Sequence, residues 1–242
     1  DLDQIYQTAH QMLTNRAGGW PLTMFLAPDG APFFGGTYFP RSPRYGLPGF
    51  ADLCQRVADA WHEKRGDIER QNTELLRALS AGSAEKSGTG DFSAEPLHLA
   101  VERAAQSYDV RYGGFGGAPK FPHPAELELL LRRLAATGES RCGEMALHTL
   151  RCLAEGGLYD QLGGGFCRYS VDERWAIPHF EKMLYDNGPL LRLYADAWRV
   201  SGEPLFRRVA EETAGWVMRE MQSPEGGYYS SLDADSEHEE GK

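Results

Sequence analysis

The sequence predicts a chain of two parts, an α+β segment followed by an all-α segment built of helical hairpins. Three observations carry this reading. Within residues 2–79 the apolar period changes from helical to strand-like and back again. The stretch from Ser80 to Gly90 is small, polar and aperiodic, the composition of a linker. Beyond it the helical period persists, interrupted by a recurring Gly-Gly-aromatic signature.

In the first part, Leu2, Ile5, Tyr6, Ala9, Met12 and Leu13 recur at three- and four-residue steps, predicting a helix over 2–17 that Gly18-Gly19 stops. Leu22 to Ala27 is a short strand-like run, Pro28-Asp29-Gly30 supplies turn chemistry, and Ala31 to Phe39 returns with aromatics. That is a β-hairpin. From Phe50 to Leu79 an amphipathic pattern predicts helix, with a break expected near Gly66. The domain division read from this is 1–79, a linker over 80–93, and 94–242.

The second part predicts helices over about 95–108, 124–137, 140–156, 179–200 and 203–221. The Gly-Gly-aromatic signature starts at Gly113, Gly164 and Gly226, spaced by 51 and 62 residues, the length of one helical hairpin plus a decorated loop. Each such unit has an apolar face that only a neighbour can cover, so the units close into a ring or stack as a solenoid. About five helices are too few to close a ring, so the ring is expected to be incomplete.

Charge narrows the partners. A net charge of −10 with no compensating Lys/Arg stripe disfavours nucleic acid. No run approaches the roughly 20 apolar residues that cross a bilayer, so no membrane partner is expected. Residues 1–6 show neither an initiator Met nor the start of a secretory signal, which leaves anything upstream open. Cys54, Cys142, Cys152 and Cys167 include no Cys-x-x-Cys spacing; four small buried hydrophobes in a reducing compartment, the cytoplasm, are expected. Oligomeric state is not legible.

Several longer strings add to this reading: Gly18-Gly-Trp-Pro-Leu-Thr23, Phe34-Gly-Gly-Thr-Tyr-Phe-Pro40, Gly117-Ala-Pro-Lys-Phe-Pro122, Tyr159-Asp-Gln-Leu-Gly-Gly-Gly-Phe166, Pro178-His-Phe-Glu-Lys-Met-Leu-Tyr-Asp-Asn187 and Leu232-Asp-Ala-Asp-Ser-Glu237. In this order, over nearly the whole chain, they resemble the spermatogenesis-associated, thioredoxin-domain family of bacteria and animals. The resemblance implies the back half of a thioredoxin-like fold, with Pro21 a cis-proline before a strand. After it would come the first hairpins of a six-hairpin, glycosidase-like α/α toroid, similar to that of N-acylglucosamine 2-epimerases. It implies truncation at both ends, with a Cys-x-x-Cys region expected ahead of Asp1. Architecture transfers more firmly than activity.

Chemistry-bearing side chains are densest from Tyr159 to Asn187. Sugar chemistry needs a carboxylate pair or a base and an acid on opposite faces of the substrate, with aromatic platforms for the ring. His179, Glu181 and Asp186 are the catalytic candidates, since an unperturbed imidazole titrates near pH 6.5. Asp160, Gln161, Arg168, Tyr169, Trp175 and Lys182 are the substrate-binding candidates, with Trp175 and Tyr169 as platforms, and Asp233 and Asp235 would join them at the cavity mouth. On an ideal helix His179, Lys182 and Asp186 share one side and Glu181 points nearly opposite. Against this, Gly188-Pro189 would suit a helix capped near Asp186 to Gly188, making Asp186 and Asn187 caps, and His179 could equally be a buried, backbone-bonded histidine.

No metal or cofactor is expected. Asp233-Ala-Asp-Ser-Glu237 starts like a calcium loop but has His238 where glycine is required. Tyr112 to Pro122 is glycine-rich without the Lys-Ser/Thr ending of a phosphate loop and reads as tight turns, with Lys120 toward the cavity. Three functions compete: a sugar epimerase or glycosidase acting on a small carbohydrate, a thiol-disulfide redox protein using an upstream Cys pair, and a noncatalytic glycan- or protein-binding toroid.

Overall fold

The computed structural model describes residues 2–44, 46–83, 93–237 and 239–240. The chain divides into two compact units, residues 1–91 and 92–242.

The first unit opens with α1 (Leu2–Thr14), which buries Ala9 and His10. It stops three residues short of the predicted end: Thr14 Oγ1 accepts the Arg16 amide and Asn15 takes a left-handed φ of 53°. A side chain that bonds locally competes with the next helical turn. The Trp20–Pro21 peptide is cis. It leads into β1 (Thr23–Leu26), which pairs antiparallel with β2 (Pro32–Gly36) across a bulge between Phe25 and Leu26. Asp29 Oδ1 accepts the Ala31 amide and Gly30 adopts φ 87°, which closes the turn, and the Tyr6 hydroxyl donates to the Gly30 carbonyl from α1. Then α2 (Phe50–Glu63) and α3 (Arg65–Ser83) follow, broken at Lys64 rather than Gly66. Phe33 of β2 packs against Trp61 of α2, ring centres 5.1 Å apart and planes tilted by 31°. Because α3 runs to Ser83, residues 80–83 of the predicted linker are helical; one Gly and two Ser cost a terminal turn about 1–2 kcal/mol, too little to stop it. The rest of that linker, 84–92, lies outside the described residues.

The second unit is a set of antiparallel helices: α4 (Glu95–Ser107), α5 (Pro124–Thr137), α6 (Ser140–Glu155), α7 (Leu184–Ser201) and α8 (Pro204–Trp216), the last continued by one π turn over Val217–Met221. It is the incomplete α/α toroid of the sequence reading. Two hairpins repeat one design. Gly138 between α5 and α6 and Gly202 between α7 and α8 are left-handed at φ 72° and 71°, each returning its amide to the carbonyl four residues back. This is the glycine stop that lets a helix reverse at once. Leu127, Leu130, Leu150, Leu153, Leu190, Tyr194, Phe206 and Val209 fill the core between the hairpins.

Between α6 and α7 the chain makes short extended pieces instead of the predicted helix from residue 179. These are β3 (Tyr169–Ser170), paired with β4 (Pro178–His179), and β5 (Lys182–Met183), paired with β6 (Ser231–Leu232). A last hairpin pairs β7 (Asp235–Ser236) with β8 (Glu239–Glu240). No described helix is long and apolar enough to cross a membrane.

Candidate functional site

The recurring Gly-Gly-aromatic signature is one local structure made three times. In the first, Asp109 Oδ1 accepts the amides of Arg111 and Tyr112, and the chain reverses so that Tyr108 bridges Phe115. In the second, Asp160 Oδ1 accepts the amides of Leu162 and Gly163, and Tyr159 bridges Phe166. In the third, Ser223 Oγ accepts the Glu225 amide and Gln222 bridges Tyr228.

The first two turns share a buried lock. Lys120 Nζ lies 2.7 Å from Asp109 Oδ2 and 5.1 Å from the Trp175 ring, and Lys182 Nζ lies 2.8 Å from Asp160 Oδ2 and 5.0 Å from the Trp216 ring. Burial alone would raise the Asp160 carboxyl; the Gly163 amide, the Lys182 ammonium and the Leu162 amide outweigh it and hold it below the usual range. Asp109 is lowered in the same way, against its own burial, by Lys120 and the amides of Tyr112 and Arg111.

Four expected substrate residues are thereby corrected. Asp160 and Lys182 neutralise each other inside the turn. Gln161 Nε2 donates to the Ala154, Gly156 and Tyr159 carbonyls and closes the end of α6. Trp175 is fully buried, its Nε1 donating to the Tyr112 carbonyl, so it offers no face to a sugar. Lys120 is likewise interior, fully shielded from solvent.

The remaining candidates gather at β3, β4 and the start of α7. Asp172 Oδ1 accepts from Ser170 Oγ and from the Ala176 and Ile177 amides, shaping the turn that lays β4 against β3. In that register Tyr169 sits opposite His179, and their rings stack at 4.7 Å with 16° between planes. Phe121 backs Tyr169 at 4.8 Å.

Arg168 is fixed to Glu181 twice, by its amide to the Glu181 carbonyl and by Nη1 to Oε2 at 2.6 Å. Glu181 Oε2 is 3.9 Å from His179 Nε2, and His179 Nδ1 is 2.5 Å from Glu240 Oε1. The helical projection is therefore overturned. Extended backbone puts residues two apart on one side, so His179 and Glu181 are neighbours, not opposites. His179 and Glu181 keep 24% and 22% of their side chains exposed, so the cluster opens to solvent.

Helix α7 begins at Leu184 with Met183 as its N-cap, so neither Asp186 nor Asn187 caps it. Asn187 is buried and ties the second turn to α7, accepting the Phe166 amide and donating to the Phe166 and Met183 carbonyls. Asp186 lies in the first turn with Oδ2 buried and without a hydrogen-bond partner. Burial raises its carboxyl to about 6; Arg168 opposes this and Glu181 adds to it. An acid of that strength exchanges a proton near neutral pH.

Asp233 and Asp235 are exposed, and the Asp235 amide donates to Asp233 Oδ1 at 3.4 Å. Their segment does return to the site, because β6 pairs with β5, but the residue that meets His179 from it is Glu240. Glu240 and Phe121 were not legible as site residues. One ends an acidic run and the other follows a turn, and only tertiary pairing brings them near His179.

The four cysteines are free. Burial pushes the thiols of Cys142, Cys152 and Cys167 above their ordinary value, the opposite of a redox thiolate. Among the described residues no group of three or more His, Cys, Asp or Glu is placed to hold a metal ion.

Residues 1–80 match a family model described as Thioredox_DsbH, Protein of unknown function, DUF255. The whole chain aligns with Spermatogenesis-associated protein 20 of Rattus norvegicus, 39% identical over 251 residues, and with that of Homo sapiens, 38% identical over 252. The chain spans 31% and 32% of those proteins, about a third of their length. Two solved structures share the fold of the helical unit. A cellobiose 2-epimerase from Bacillus thermoamylovorans B4167 is 16% identical with a TM-score of 0.50, over 58% of this chain and 40% of that one. A sugar epimerase from a ruminal bacterium is 15% identical with a TM-score of 0.51, over 57% and 40%.

Proposed function

We propose that the helical unit, which shares the fold of sugar epimerases in a chain 39% identical over its whole length to part of Spermatogenesis-associated protein 20, interconverts epimers of a small reducing carbohydrate by acid–base chemistry. The observation that carries the reading is that an imidazole open to solvent and a buried acid raised to about 6 share the influence of one Arg168–Glu181 pair: Glu181 lies 3.9 Å from His179 Nε2, and the charges of Arg168 and Glu181 both act on the Asp186 carboxyl.

Epimerisation next to a carbonyl removes a proton from carbon, passes through an enediolate and returns a proton to the other face. His179 Nε2 would take the proton and Asp186, whose carboxyl is raised to about 6 and so keeps its proton in a fraction of molecules at neutral pH, would give one back, with no change of oxidation state. Arg168 and Glu181 hold the charge frame. Free thiols on all four cysteines fit a reducing, cytoplasmic setting. The raised values of Cys142, Cys152 and Cys167 favour acid–base chemistry over redox chemistry on this segment.

The test is solvent exchange. The full-length protein, incubated in D2O with glucose, mannose and cellobiose, is expected to replace the C2 hydrogen of at least one by deuterium, read by proton NMR. His179→Gln should slow exchange by about 100-fold or more. Absence of exchange with all three, alongside measurable sugar binding, would instead identify a noncatalytic binding toroid.

A further inference from the structure

We propose that Glu240 is a positioning residue, one that keeps the proton of His179 on Nδ1 and presents Nε2 as the basic nitrogen. The inference rests on the sugar-processing reading, though its central test does not.

The argument begins with what surrounds the ring. Glu240 Oε1 lies 2.5 Å from Nδ1, and an ionised carboxylate only accepts, so Nδ1 must be the donor. In a neutral imidazole the other nitrogen is then the free base. Tyr169 fixes the plane of the ring by stacking on it, and is itself backed by Phe121. Glu181 faces Nε2 at 3.9 Å, beyond hydrogen-bond reach, and is held by Arg168. Around the imidazole are thus Glu240 on one nitrogen, Glu181 near the other and Tyr169 on a face, with Arg168 bonded to Glu181.

Glu240 reaches across 61 residues of sequence. It is delivered by the β7–β8 hairpin, in which it pairs with Asp235, while β6 just before that hairpin pairs with β5. Its side chain is 48% exposed, and a contact so hydrated adds little stability. What the contact does supply is direction: a carboxylate on one ring nitrogen and a ring on its face leave the imidazole a single orientation and a single tautomer.

The experiment uses the full-length protein labelled with 15N-histidine, with His179 identified by the signal missing from the His179→Gln variant. Long-range nitrogen–proton spectra at pH 8 are expected to show His179 protonated on Nδ1 alone. Glu240→Ala should move the proton to Nε2. Glu240→Gln, which still accepts through its amide oxygen, should leave it on Nδ1. In the exchange assay Glu240→Ala should lower kcat by about 10- to 100-fold with KM within about twofold. Any other protonation state in the wild type, or an unchanged tautomer in Glu240→Ala, overturns the proposal. The expected tautomers without sugar turnover would uphold it and sink the epimerase reading instead.

Discussion

Lys182 and Asp160, 22 residues apart, meet at 2.8 Å inside the second glycine turn, repeating the meeting of Lys120 and Asp109 at 2.7 Å inside the first. The repeat shows that the lock is architectural. Residues that look like substrate ligands by type are here the partners of one another.

Lys182→Met should therefore unfold the helical unit more readily. It leaves the Asp160 carboxylate without its ammonium, at a cost of about 2–3 kcal/mol, less than for a wholly buried pair because Asp160 keeps 35% of its side chain exposed. Urea denaturation followed by circular dichroism checks this. Asp160→Asn combined with Lys182→Met should recover part of the loss; a double variant no better than the sum of the single ones would contradict the pairing.

Asp186 makes stability depend on pH in a defined direction. Its folded-state value of about 6 is above that of an unfolded chain, near 3.8, so the folded protein holds the proton more tightly. The stabilisation is complete below about pH 4 and disappears as pH rises through about 6. Asp186→Asn keeps the neutral form throughout, so it should melt higher than the wild type at pH 8 and converge with it toward pH 4. Thermal shifts across that range decide the matter, and equal curves at all pH values would refute the buried, unpartnered carboxyl.

The glycine turns predict an order of damage. A Cβ at Gly114 would stand 2.5 Å from Trp175 Cζ2, and one at Gly165 would stand 2.6 Å from Trp216 Cδ2, each at a left-handed φ. Strain and overlap together make Gly114→Ala and Gly165→Ala cost about 3–5 kcal/mol. Gly226 is also left-handed but has nothing within 4 Å, so Gly226→Ala should cost only about 1–2 kcal/mol. Melting points of the three variants rank them.

Trp175→Phe separates packing from sugar recognition. It removes the Nε1 bond to the Tyr112 carbonyl and replaces the indole beside Lys120 with a smaller ring, for a loss of about 2–4 kcal/mol, with sugar affinity unchanged. Reduced affinity at an unchanged melting temperature would restore the aromatic platform.

The hairpin units were legible because their signals are local. Gly138 and Gly202 stop helices wherever they occur, and the turn of Asp109 with Gly113-Gly114 is written in consecutive residues. Residues 178–183 were not legible as strands. Their apolar spacing fits a helix, and only pairing with Tyr169, Ser170, Ser231 and Leu232 makes them extended. The site inherited that error. His179, Glu181, Arg168 and Asp186 were chosen by type, but His179 and Glu181, expected on opposite sides, lie side by side, and the carboxylate on His179 comes from a hairpin 61 residues away.

The locks also set an order of construction. Trp175 closes over the turn at Tyr112, 63 residues before it, and Trp216 closes over the turn at Gly165. On the ribosome, where the chain emerges from its amino end, each unit must wait for its successor before its own turn is sealed. Maturation would then advance by one cassette at a time, and a pause in translation just ahead of Trp175 or Trp216 would leave an ammonium group without its aromatic cover.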